Sequence, residues 1–231
     1  MTSMIRLCTA LALAASVFAA PAAVVTLTFE GAGNLARLDG FYAGGTDSHG
    51  HRGTNHGVRF GDTALAIIDE DVPALPGAGL NSGNFGNEPS PDTVLFFLEG
   101  RALLDYAGGF RDGFSFFYSS TTWTGLVSVY DGLNATGSLL GTIDLLPLGE
   151  GSGDPTGSYN RWAAGGLAFD GTARSVVFGG TGDRIAFDNV TFGSATPTLT
   201  PSPALPIDEP SSLALLALAL IATAVVTRRH A

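Results

Sequence analysis

Lysine is absent from the 231 residues, and cysteine occurs once, at Cys8. A single thiol closes no internal disulfide, so the folded part must be held by an apolar core or by bound metal. Over residues 23–207 there are 19 acidic side chains against 8 arginines. That negative field repels phosphate backbones and excludes nucleic acid as a partner. Amphipathic helix is missing too: no glycine-free stretch of 12 residues between 23 and 193 carries a helical period, which excludes a helix bundle. The nucleophile-elbow pattern G-x-S-x-G and the zinc-protease pattern H-E-x-x-H are absent. Gly31 to Ala36 follows a strand and loosely matches a dinucleotide fingerprint, but no helix succeeds it, so that reading is rejected.

Apolar runs are confined to the two ends. Met1 to Arg6 is a short basic segment, and Leu7 to Ala20 is apolar and alanine-rich. With the small residues Ala20-Pro21-Ala22 behind it, residues 1–22 read as a secretory signal peptide handled by the Sec translocon and cleaved after Ala22, with Val17-Phe18-Ala19 as the rival site. Cys8 lies inside this apolar segment rather than at its end, which argues against a lipoprotein. At the other end Leu213 to Val226 form a 14-residue apolar run followed by Arg228 and Arg229. A spanning helix needs about 20 residues, with a lower range near 17. Residues 211–231 reach that range once Ser211, Ser212 and Thr227 are admitted, with the two arginines as a membrane stop. The expectation is a single-pass C-terminal anchor in the inner membrane. A buried helix would show a polar face, and a GPI signal would not end in arginines. Residues 194–210 are rich in proline and threonine and read as a stiff spacer.

Between these ends lie about 185 residues, enough for one domain. Val25, Leu27 and Phe29 alternate with Thr26, Thr28 and Glu30, the period of a half-buried strand. Further strands are expected at 58–60, 64–68, 94–99, 114–118, 126–130, 139–145, 174–178 and 184–192. Long loops are expected at 72–92 and 147–159. Many short strands separated by glycine-rich turns predict an all-β, jelly-roll-like β-sandwich over 23–193.

Two resemblances accompany this reading. Asp208-Glu209-Pro210, the Ser-Ser-Leu-Ala-Leu-Leu run and the terminal arginines resemble the PEP-CTERM sorting signal of exported bacterial proteins, with Asp208 where the family has proline. The resemblance implies recognition by an exosortase. Phe29-Glu30-Gly31, the Tyr42-Ala43-Gly44-Gly45 turn, Gly57 to Phe60, Val129 to Gly132 and Ile185 to Val190 resemble, in that order, the domains attached to such tails. They look like the sandwich of carbohydrate-binding modules. That resemblance implies a structural calcium shared by an acid of the first strand and an aspartate of the last, here Glu30 and Asp188 with Asn189.

Other chemistry is local. Asp47, His49, His51 and His56 fall within ten residues and offer a zinc-type donor set, although their loop is glycine-rich and polar and lacks the frame that fixes ligand angles. Asp69-Glu70-Asp71 reads as a solvated acidic edge or a cation contact. Trp123 and Trp162 offer stacking faces for sugar rings, or else pack inside the sandwich. The function expected is that of a structural or adhesive envelope protein without enzymatic activity. The alternatives are a carbohydrate-binding module with calcium and a hydrolase of extracellular polysaccharide.

Overall fold

The computed structural model describes residues 24–74, 80–151 and 157–199. The signal peptide, Asp208-Glu209-Pro210, Arg228, Arg229 and the expected span 211–231 all lie outside the described residues. Among the described residues helical geometry is limited to two 3-10 turns, Phe41–Ala43 and Leu133–Ala135. No helix there is long and apolar enough to cross a membrane. The expectation of a single-pass C-terminal anchor is corrected to that extent: no such helix is present among the described residues.

Eleven strands are described: β1 (Val25–Leu27), β2 (Val58–Phe60), β3 (Leu65–Ile68), β4 (Thr93–Phe96), β5 (Arg101–Phe110), β6 (Phe114–Ser119), β7 (Gly125–Tyr130), β8 (Leu139–Leu145), β9 (Ala163–Leu167), β10 (Ala173–Gly180) and β11 (Ala186–Phe192). They form two antiparallel sheets. One runs β3-β4-β11-β6-β9 with β1 also paired to β11; the other runs β2-β5-β10-β7-β8. The fold is therefore an all-β sandwich, as the alternation of apolar and polar residues requires. Two strands escape the sequence pattern. β5 (RALLDYAGGF) mixes alanine, glycine and aspartate into its run, and β9 (AAGGL) is almost side-chain-free, so neither carries the β-branched residues that mark a strand.

Phenylalanine fills the space between the sheets. Phe178 of β10 meets Phe187 of β11 edge-on at 4.8 Å, and Phe114 and Phe116 of β6 complete the group. Such ring pairs add about 0.5–1.5 kcal/mol each beyond the area they bury. Every residue of β11 is buried, because its outward face is covered as well as its inward one. One cover is a satellite cluster of Phe85, Val94 and Ala186 with Ile67, Tyr159 and Trp162. The other is the segment Ser194 to Thr198, the start of the expected spacer. It lies back on the sheet: Ser115 Oγ donates to the Ser194 carbonyl at 2.9 Å, and the Thr198 and Thr26 hydroxyls meet at 2.9 Å. The spacer thus begins later than its composition implies.

Candidate functional site

β11 changes partner half-way along its length. Phe187 pairs with Leu95 of β4, whereas Val190 to Phe192 pair with β1. Between the two, its register on β6 shifts from Asp188 to Thr191, and Asn189 takes a left-handed φ of 48°. Such a bulge re-aims side chains, and asparagine tolerates this conformation better than most residues. β1 and β4 abut at the bulge. Glu30, three residues past the end of β1, therefore arrives beside Asp188.

Ser90 stands between the two carboxylates. Its hydroxyl lies 2.7 Å from Asp188 Oδ1 and 3.4 Å from Glu30 Oε1, and it also reaches the Thr28 carbonyl at 3.0 Å. The Ser90 amide donates to Asp188 Oδ2 at 2.7 Å, and the Asn189 amide donates to Asp188 Oδ1 at 2.6 Å. Glu30 Oε1 accepts from the amides of Asp92 and Thr93, both at 3.0 Å. Burial pushes the Asp188 carboxyl up to about 7; the charge of Glu30 adds to this, and the donors of Ser90 and Asn189 only partly offset it. Burial raises Glu30 as well, against the Asp92 and Thr93 amides, with the charge of Asp92 adding to the rise. Tyr42, whose hydroxyl accepts the Phe29 amide at 2.7 Å, is raised by burial and then by the charges of Glu30 and Asp188. Beside Asp188, the Asn189 side-chain oxygen is buried and has no hydrogen-bond partner.

Two half-buried or buried carboxylates share one hydroxyl, and the residue adjacent to Asp188 in sequence carries a buried, partnerless amide oxygen. Hard cations such as calcium take six to eight such oxygens. Glu30, Asp188 and Asn189 therefore fit the group that the resemblance implies. Ser90, near the end of the expected loop 72–92, is the member no sequence pattern singled out.

The histidine loop behaves differently. Asp47 is buried, and both of its oxygens are taken. Oδ1 accepts the amides of His49 and His51 at 2.9 Å each, while Oδ2 accepts Gly33 N at 2.8 Å and His51 Nδ1 at 3.0 Å. Burial pushes this carboxyl up, but the donors of Gly33, His51 and His49 outweigh it and hold it below the usual value. Asp47 is thus an internal staple of the loop and not a free ligand. Because ionised Asp47 offers only lone pairs, His51 Nδ1 is the donor in this contact. The rings of His49 and His51 lie 6.4 Å apart on one cavity, whereas His56 packs on Tyr42 at 5.9 Å and lines another. Among the described residues no group of three or more His, Cys, Asp and Glu is gathered for a metal. The four-residue zinc-type set is not assembled.

Trp162 is a packing residue: its ring joins the satellite cluster, and Nε1 donates to the Gly86 carbonyl at 3.0 Å. Trp123 is 43 % exposed in the turn between β6 and β7 and remains open to a ligand. Asp69 is buried and accepts the Asp71 amide, so the acidic triplet is not wholly a solvated edge.

An open cleft of about 700 Å³ adjoins the carboxylate cluster and shares Glu30 with it. His49, His51, Asn34, Asn81 and Asp92 supply its polar wall, and Leu35 and Leu80 its apolar one. Against known proteins, no family profile and no curated sequence matches the chain. Among solved structures it is similar to a family 6 carbohydrate-binding module, at 18 % identity over 57 % of this chain and 82 % of that one, with a TM-score of 0.32. It is likewise similar to a Clostridium stercorarium module solved with cellobiose, at 18 % identity over 55 % and 91 %, with a TM-score of 0.31.

Proposed function

We propose that this chain is a glycan-binding sandwich module of the jelly-roll type, without catalytic activity, stabilised by a calcium ion at Glu30, Asp188 and Asn189. The observation that carries the reading is the buried carboxylate pair joined by the Ser90 hydroxyl, together with the partnerless Asn189 oxygen: a bound cation would offset the burial and mutual charge that raise both acids and would give that oxygen a partner. Bound calcium would neutralise the pair and tie β1, the 90–93 turn and β11 together. The adjoining cleft suits a neutral polyhydroxyl ligand: its acids repel anions, while imidazole and carboxamide groups form directional bonds to hydroxyls. Glycoside hydrolysis needs two carboxyl groups flanking an exposed bond. Asp188 is wholly buried under Ser90, which favours binding over hydrolysis.

Two measurements test this. Calcium should raise the melting temperature of chelator-treated protein, and Glu30→Gln should abolish most of the rise. Affinity electrophoresis in neutral polysaccharides should show retardation that His51→Ala weakens several-fold, in line with the ~0.5–1.5 kcal/mol net contribution of one hydrogen bond. A chain indifferent to calcium, or one that migrates freely in every glycan tried, would remove the corresponding half of the proposal.

The sorting reading is a separate proposal, supported by the sequence resemblance alone. Asp208-Glu209-Pro210 is processed by an exosortase, and intact mass of the mature protein should place its C-terminus near Glu209. A mass matching an uncleaved terminus refutes it.

A further inference from the structure

The segment after β11 returns over the strand it has just left. Gly193, at φ 86°, turns the chain, and its amide donates to the Gly113 carbonyl at 3.0 Å. Ala195 then passes so close to the sheet that a Cβ on Gly166 would collide with its carbonyl, and one on Gly113 with its amide nitrogen. Pro197 is buried. Thr198 finally joins a row of hydroxyls, 2.9 Å from Thr26, which is itself 3.2 Å from Thr191. The Thr198 carbonyl accepts Asn189 Nδ2 at 2.8 Å. That last bond decides which end of the Asn189 amide points where. A carbonyl accepts only from the NH₂ end, so the oxygen is held at the opposite end, buried and without a partner.

We propose that Ser194 to Thr198 is a strap that completes the cation site, with Thr198 as the positioning residue that presents Asn189 Oδ1 as a ligand. This rests on the calcium reading above and adds a coupling to it. A strap that orients a ligand favours the loaded state, and by reciprocity the loaded state holds the strap down. The two ends of the described domain, β1 and the segment after β11, are thereby joined through one ion.

The test uses the full chain. Gly166→Ala adds a methyl group beneath Ala195, at a φ any residue adopts, and lifts the strap while leaving Glu30, Asp188 and Asn189 in place. Calcium affinity, measured by competition with a chromophoric chelator, should fall about tenfold, within the usual 5–150-fold range of such couplings. Thr26→Val keeps the shape but removes the hydroxyl bond to Thr198, and should weaken affinity less. Hydrogen exchange supplies a readout that mere packing would not move: amides of 194–199 should exchange more slowly with calcium than without. Parental affinity in both variants, with strap exchange indifferent to calcium, overturns the strap. A parent that binds no calcium overturns the cation reading and the strap with it, a result visible before any variant is made. Should Gly166→Ala fail to fold, Thr26→Val and the exchange comparison decide.

Discussion

Asp47 is the residue whose role the structure changes most. In sequence it stands beside three histidines and suggests a ligand; in the fold it is a four-bond anchor that shapes the loop around Gly33 and His51. Asp47→Ala strands three backbone donors and should cost roughly 2–3 kcal/mol in urea unfolding. Its folded pKa lies below the unfolded value, so its contribution is complete above the ordinary carboxylate range and is lost as pH falls through the lower folded value. Asp188 has the opposite sign. Its pKa is raised from 3.8 to about 7, so without metal the native state binds the extra proton, and this group's contribution is lost as pH rises from about 4 to 7. Calcium restores what ionisation removes, so the calcium-induced rise in melting temperature should be larger at pH 8 than at pH 5.5 in scanning calorimetry. His56, which burial holds below the usual imidazole value, titrates in part of the same window. Comparing loaded and metal-free protein at each pH cancels it.

At the scale of elements, the deciding feature is the bulge in β11. The sequence made the strand itself legible from Arg184 to Phe192, and the resemblance pointed to Asp188 and Asn189. Neither reveals that the strand trades β4 for β1 at that point, because pairing partners far apart in sequence leave no local pattern. Ser90 was hidden for the same reason: it sits in a stretch whose Pro, Gly and Asn content says only loop. β5 and β9 were hidden by composition, and their place in the sheets is set by packing rather than by propensity. Trp162 could be either core or platform until Phe85 and Gly86 were seen to enclose it. The bulge supplies its own test. Asn189→Gly suits the left-handed backbone and deletes the side-chain oxygen, so the metal-free variant should unfold within about 1 kcal/mol of the parent while binding calcium at least about tenfold more weakly. Equal calcium affinity would show that Oδ1 is not a ligand.

For the molecule as a whole, an interior of phenylalanines between two sheets explains how a chain with one cysteine holds together without a disulfide. Loss of a ring at the centre, as in Phe178→Ala, should cost about 3–5 kcal/mol, read from the shift of the denaturation midpoint. The sheets also bring two acids, remote in sequence, to one buried point, where their charges cannot both be tolerated unaided. The most direct measurement is calorimetric titration of the chelator-treated full chain with calcium chloride, beside Glu30→Gln. One ion per chain, with the heat lost in the variant, is the expected outcome. No heat in the parent, or an unchanged isotherm in Glu30→Gln, contradicts a cation at this site.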